Sequence, residues 1–273
     1  AVKQAKLYGS WDAYLGQVFE EFRDKHIPGE PDNACHVVKP FNIPTWWPKI
    51  VSIDWGFKAK CSIGWGAISP TKKLYIYRHQ YWTGKKIEEW APEVKFWIEK
   101  EKPAEIVICH SAEQHRGDPH TIHEQVSEAL ETGVSLGVKN RLAGKTLLHE
   151  YLRWEQRPRL ETVIGEFDPE VAAWIYRNKT KIEYDLYCSM YNKPDESEDI
   201  PRIFFFDNDP AIELICNSIK SCSYAKTQKD GKAIEDVAEF DGDDEYDMVR
   251  GLLHAADSFF DMATDSSIKL EQA

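Results

Sequence analysis

Three apolar segments follow one another with connections of only a few residues: 50–55 (IVSIDW), 62–68 (SIGWGAI) and 73–82 (KLYIYRHQYW). A fourth, 104–111 (AEIVICHS), is separated from them by 85–102, where Ile87, Trp90, Val94, Trp97 and Ile98 recur at helical spacing around Pro92. Strands joined by such short connections pair as antiparallel neighbours, whereas a strand reached through a helix crosses over to a parallel partner.

The rest of the chain extends the alternation. HTIHEQVSEAL (120–130) and AGKTLLHEYLRW (143–154) read as helices, RIFFFDN (202–208) as a strand, and PAIELICNSIKSC (210–222) and DEYDMVRGLLHAADSFF (244–260) as helices. The order β-β-β-α-β-α-α-β-α-α predicts an α/β fold, a mixed sheet of five strands or more flanked by helices. Residues 1–47 lack this alternation and read as a linker segment; 48–263 form the domain, and 264–273 a tail. Residues 155–200, ending in the acidic stretch NKPDESEDIP, read as an inserted subdomain or flap. No internal repeat is visible.

A content of 42% hydrophobic and 12% aromatic residues suffices for a large core. The net charge of −12 argues against a protein that coats nucleic acid, though not against an enzyme that touches DNA briefly. The charge is segregated: EDVAEFDGDDEYD (235–247) is acidic, KNRLAGKTLLHEYLRWEQRPRL (139–160) basic. Six cysteines without a C-x-x-C pair predict neither a disulfide framework nor a structural zinc site. No run approaches a membrane span and no secretory signal is visible, so the expectation is an intracellular, unsecreted protein.

Asp54 closes the first apolar strand. A buried carboxylate is costly unless paired, hydrogen-bonded or bound to a cation, so Asp54 is either a turn cap or one member of a site. The terminal helix offers partners. At about 100° per residue, Asp247, Arg250 and His254 fall within about 40° of Asp243, opposite an apolar stripe of Tyr246, Val249, Leu252, Leu253, Ala256 and Phe260. Asp243 or Asp244 also suits the helix N-cap. Two carboxylates from a helix and one from a strand make an oxygen-rich site suited to Mg²⁺ or Mn²⁺.

SIDWG (52–56), ICHSAEQHRG (108–117), GKTLLHEYLRW (144–154) and EDVAEFDGDDEYDMVRGLL (235–253), in that order, resemble the nuclease domain of the large terminase subunit of tailed bacteriophages, with an RNase H-like, RuvC-type fold. LYGSWDAYLGQVFEEF (7–22) is similar to the segment that joins that family's ATPase motor to its nuclease. The resemblance implies a metal-dependent endonuclease that cuts concatemeric double-stranded DNA at initiation and termination of packaging, with little sequence specificity. It implies two Mg²⁺ or Mn²⁺ ions, in-line attack of water leaving a 3′-hydroxyl, and a place in the host cytoplasm during virion assembly. The implied partners are double-stranded DNA, a portal protein, a small terminase subunit and an ATPase domain upstream in the same polypeptide; no membrane is implied. Asp54, Asp243 and Asp247 would hold the metal, with Asp244 as the alternate. His110 stands where the family carries an acid. Three readings of His110 stay open: altered metal preference, an inactive or engineered variant, or rescue by Glu113 or Asp118. The rival function is a catalytically impaired module that clamps DNA or docks on the portal. A Holliday-junction resolvase or transposase core shares the acids but fits the flanking motifs less well.

LAGKT is not the end of a phosphate-binding loop, because the first glycine of G-x-x-x-x-G-K-[ST] falls on Lys139. The chain is therefore expected to hold no ATP site. Lys139, Arg141, Lys145 and Arg153 read as a DNA-facing basic patch or as a solvated helix face. His115, His120 and His123 are solvated or contact phosphate. Phe204, Phe205 and Phe206 belong to the core, and Trp46 and Trp47 pack the leading segment onto the domain.

Overall fold

Residues 17–25, 35–45, 47–69, 72–115, 119–158, 197–224, 237–238, 240 and 242–270 are described in a computed structural model, with the backbone alone for 156–158, 197–200 and 260–270. Most of the expected flap, Trp46 and Asp118 lie outside these residues.

The strands are β1 (Val37–Val38), β2 (Lys49–Asp54), β3 (Lys60–Ile68), β4 (Leu74–Thr83), β5 (Glu105–Ile108), β6 (Ser135–Leu136), β7 (Glu155–Pro158), β8 (Ser197–Ile200) and β9 (Ile203–Phe206). The helices are α1 (Ile87–Glu101), α2 (Ile122–Leu130), α3 (Arg141–Leu152), α4 (Pro210–Ser221) and α5 (Asp244–Leu270). Seven strands form one mixed sheet in the order β1-β9-β4-β3-β2-β5-β6, and β7 pairs with β8 apart from it. As the short connections require, β2, β3 and β4 are antiparallel neighbours. The crossover through α1 brings β5 parallel to β2, with Ile53 opposite Ile108.

Alternation along β2 distributes its side chains to two layers. Ile50 joins the cluster beneath α3, α4 and α5, while Val51 and Ile53 join the one beneath α1 and α2. Ser52 and Asp54 follow Ile50 on the α5 face. There α5 lies close to the sheet because glycines leave room. A Cβ on Gly251 would stand 2.1 Å from Ser52 Oγ, and one on Gly64 of β3 would stand 2.1 Å from Met248 Sδ. The apolar stripe expected on α5 is buried from Tyr246 through Ala256.

The sheet, expected to hold five strands or more, has seven; β1 and β6, each of two residues, are too short to show a period. The described part of the expected linker is built into the domain: Val18, Phe19 and Phe22 are core residues, and β1 pairs with β9. His36 locks this segment down, accepting from Arg23 N at 3.0 Å and donating from Nε2 to the Leu152 carbonyl at 3.0 Å. Finally, α5 runs on through 264–270, assigned above to a tail, since no glycine or proline after Gly251 stops it. The Phe204–Phe206 run and Trp47 are buried. Cys35, Cys61, Cys109, Cys216 and Cys222 are free thiols.

Candidate metal and nucleic-acid site

β2 and β5 end side by side, where Cys109 N donates to the Ile53 carbonyl at 2.8 Å. Asp54 and the Cys109–His110 pair therefore emerge together at the carboxyl ends of adjacent parallel strands, where open α/β sheets leave a crevice. A cleft of about 300 Å³ opens there, and Asp54, His110, Lys139, Arg141, Asp247, Arg250 and His254 are among its lining residues. Trp55 N donates to Cys109 Sγ at 3.3 Å, closing the strand ends against each other.

Asp54 is only partly exposed. Its carboxyl is pushed well above the usual carboxylate range, first by desolvation, then by the negative charge of Asp247, with Asp244 adding to it; a hydrogen bond from Cys109 and the Arg250 charge oppose the rise. Asp247 lies in the first turn of α5 and is ion-paired to Arg250 at 2.5 Å and to Arg141 at 3.7 Å. Arg250, 7% exposed, packs over Gly144, whose absent side chain admits it: a Cβ there would stand 2.7 Å from Arg250 Nε. Gly144 thus serves helix packing rather than a phosphate cradle.

Asp243 stands at the N-cap position of α5, its carbonyl accepting from Asp247 N at 2.8 Å, and its carboxylate lies 3.9 Å from Arg141 Nη2. It is not among the cleft-lining residues. Asp244 is likewise outside the lining; burial, then Glu245 and Asp243, raise its carboxyl to about 6. Glu245, almost fully buried, anchors this turn to β3 through an ion pair with Lys60 at 2.5 Å.

His110 opens a short 3-10 turn, His110–Glu113, and its side chain is 36% exposed, with Nε2 3.5 Å from Glu113. The basic patch divides. Lys139 and Arg141 line the cleft, whereas Lys145 is 8% exposed and lies over the Tyr224 ring, and Arg153 is exposed beside Glu155. His123 is tied to the Val134 carbonyl at 2.7 Å, and His120 faces Glu124 at 3.9 Å.

Among the described residues, no three His, Cys, Asp or Glu side chains converge as a metal-ligating group. The acids facing the cleft are Asp54 and Asp247, close enough that the charge of one raises the pKa of the other. Two carboxylates with water filling the remaining positions suit one Mg²⁺-sized ion, so this pair fits a single hard cation. At the end of β5 the cleft is lined by the His110 imidazole rather than by a carboxylate.

The spatial order β4-β3-β2-β5-β6, with a helix packed across the sheet, is that of an RNase H-like α/β domain. The large terminase of a thermophilic bacteriophage shares this fold, with a TM-score of 0.53 at 14% identity over 88% of this chain and 45% of that one. The same protein in complex with ATP-gamma-S matches at 0.53, 14% identity, 87% and 45%. The P22 large terminase nuclease domain aligns over 88% of this chain and 92% of its own at 15% identity, with a TM-score of 0.43. The chain thus spans less than half the length of the thermophilic phage terminase. No family model matches the sequence, and no curated protein matches it significantly.

Sequence reasoning placed Arg250 and His254 on the acid face of α5 without a role; in the structure Arg250 is the counter-charge of Asp247 and His254 lines the cleft. It missed Cys109, for which its place before His110 at a strand end was the available signal.

Proposed function

We propose that the chain is the nuclease part of a phage DNA-packaging terminase large subunit, a divalent-metal-dependent DNA endonuclease. The observation that carries this reading is the convergence of Asp54 and Asp247 in a cleft at the carboxyl ends of the central strands of an RNase H-like sheet, where burial and then the Asp247 charge raise the Asp54 carboxyl. A bound Mg²⁺ or Mn²⁺ ion would supply Lewis-acid polarisation of the scissile phosphate and a nucleophilic water at neutral pH. Asp54 and Asp247 would hold it. Lys139 and Arg141 line the cleft, where they would contact phosphates of the bound DNA, and Arg250 orients Asp247 through their ion pair. The reading extends to concatemeric double-stranded DNA as substrate, cut with little sequence specificity, and to an ATPase domain of the same polypeptide, a portal and a small subunit as partners in the host cytoplasm. Among the described residues no helix is long and apolar enough to cross a membrane.

One observation favours a second reading, a clamp or portal-docking module with weakened chemistry: His110 presents an imidazole where a second ion needs oxygen. Incubation of linear duplex DNA with the chain and Mn²⁺ separates the two. Cleavage that Asp247→Asn removes supports the nuclease; duplex binding without cleavage in either protein supports the clamp.

A further inference from the structure

Beyond Asp54 the chain makes a tight turn into β3. A groove opens beside this turn, lined by Trp55, Phe57 and Lys58 and, from α2, by Ile122 and Gln125. Phe57 is 44% exposed, unusual for a phenylalanine next to a polar cleft, and Tyr81 near the end of β4 is 45% exposed. The turn is held in place. Gly84 N donates to the Phe57 carbonyl at 2.9 Å, joining it to the Gly84–Lys85–Lys86 turn that leads into α1. Gly56 has no room for a side chain, since a Cβ would stand 2.6 Å from the Lys60 carbonyl oxygen. Lys58, Lys85 and Lys86 are exposed, and none is ion-paired to a described residue. The nearby Glu89 is engaged in the α1 cap, accepting from Lys86 N at 2.7 Å.

Trp55, Phe57 and Lys58 line the groove, and Lys85 and Lys86 lie on the turn hydrogen-bonded to it; aromatic rings with nearby lysines are the features by which proteins hold unpaired nucleic-acid strands, lysines following the phosphates and rings stacking the bases without regard to sequence. On a molecule of net charge −12, such a group of cations is local and directed. Its position decides the occupant. Trp55, which lines the groove, directly follows Asp54, which lines the acid cleft, so the chain passes from one to the other in a single residue.

We infer that the groove between the Trp55–Ala59 turn and α2 binds an unpaired DNA strand leaving the acid cleft, with Phe57 stacking a base and Lys58 and Lys85 contacting phosphates. This deepens the nuclease reading and rests on it for the identity of the strand. It makes the enzyme favour sites where the duplex is open next to the cut.

The test is fluorescence anisotropy of a labelled oligothymidine of about 12 nucleotides, and of a blunt duplex of equal length, in EDTA so that nothing is cut. The proteins are the parent chain, Phe57→Ala, Phe57→Trp, a Lys58→Ala/Lys85→Ala double variant, and Phe96→Ala as an exposed aromatic on the outer face of α1. Phe57→Ala is expected to weaken oligothymidine binding roughly tenfold or more, Phe57→Trp to restore it, and Phe96→Ala to change nothing. The double variant should flatten the salt slope by about 1.4, two single-strand phosphate contacts. Duplex binding should change less than oligothymidine binding in every variant. An oligothymidine affinity that Phe57→Ala leaves unchanged, an equal loss in Phe96→Ala, or no binding by the parent overturns the inference. Cleavage abolished by Asp247→Asn alongside an inert Phe57 overturns the groove alone; intact Phe57-dependent binding without any cleavage overturns the nuclease reading alone.

Discussion

Gly251 is where the helix that carries Asp247 touches the strand that carries Asp54, which makes Gly251→Ala the sharpest test of how the site is assembled. A Cβ built at this position stands 2.1 Å from Ser52 Oγ, 3.2 Å from Ser52 Cβ and 3.6 Å from Val107 Cγ2. The first distance is far inside van der Waals contact, so α5 or β2 must move. Overpacking of this kind costs about 1–3 kcal/mol, and so close a contact belongs at the upper end. Alanine regains about 1 kcal/mol of helix propensity over glycine, leaving a net loss of about 2 kcal/mol, or roughly 4–8 °C in melting temperature for a domain of this size. Ser52→Ala removes the clashing oxygen and leaves the 3.2 Å and 3.6 Å contacts. In the double variant the melting temperature should return to within about 2 °C of the parent, a coupling of about 2 kcal/mol in a double-mutant cycle. Differential scanning fluorimetry of the four proteins suffices. A Gly251→Ala protein that melts at or above the parent temperature, or a Ser52→Ala background that rescues nothing, refutes the close seating of α5 on β2.

Three other perturbations have worked-out signs. Burial holds His36 down to about 4; the unfolded chain takes up its proton near 6.5 and the folded one does not, so stability is lost as pH falls from about 6.5 to 4, by roughly 3 kcal/mol. Urea titrations at pH 7 and 4.5 should show that loss, and His36→Gln should reduce the pH-dependent part of it. Asp54 has the opposite sign: its folded carboxyl is raised, so the folded state holds the proton longer and stability falls as pH rises above about 4. Asp54→Asn should therefore raise the melting temperature at pH 8 more than at pH 4, while stabilisation by Mn²⁺ appears only in the parent and is larger at pH 8. Lys60→Met strands the buried Glu245 carboxylate, at a cost of about 3 kcal/mol in chemical denaturation, the low end for a buried pair because Lys60 is partly exposed; Lys60→Met together with Glu245→Gln should recover most of it.

The central sheet was legible because its pattern is strong. Ile50, Val51 and Ile53 form a buried strand, the connections that follow are too short for anything but antiparallel pairing, and the α5 stripe keeps helical period over its first three turns. The acids were legible as a set because helical spacing puts Asp243 and Asp247 on one face. Their division was not: which acid becomes the N-cap depends on where α5 begins, and helix starts shift by a residue or two with little change in pattern. Lys145 sits one turn from Arg141 and looks equivalent to it, yet the packing of α3 against neighbouring elements buries it over Tyr224. β1 and β6 pair through the backbone with two residues each, leaving no side-chain period to detect. The leading segment lacks periodicity for another reason: Val18, Phe19 and Phe22 enter the core from an irregular chain, where only tertiary contact determines which residues are buried. The Phe57 groove escaped notice because its parts, the turn after β2, the turn after β4 and α2, meet only through the register of three strands.

The most direct measurement is cleavage of supercoiled plasmid by the parent chain, Asp54→Asn and His110→Asp, each with Mg²⁺ and with Mn²⁺. We expect the parent to nick or linearise the plasmid with Mn²⁺ and more weakly with Mg²⁺, Asp54→Asn to leave it intact, and His110→Asp to raise the Mg²⁺ activity. Cleavage that survives Asp54→Asn, or an intact plasmid with both the parent and His110→Asp, would contradict a nuclease centred on Asp54.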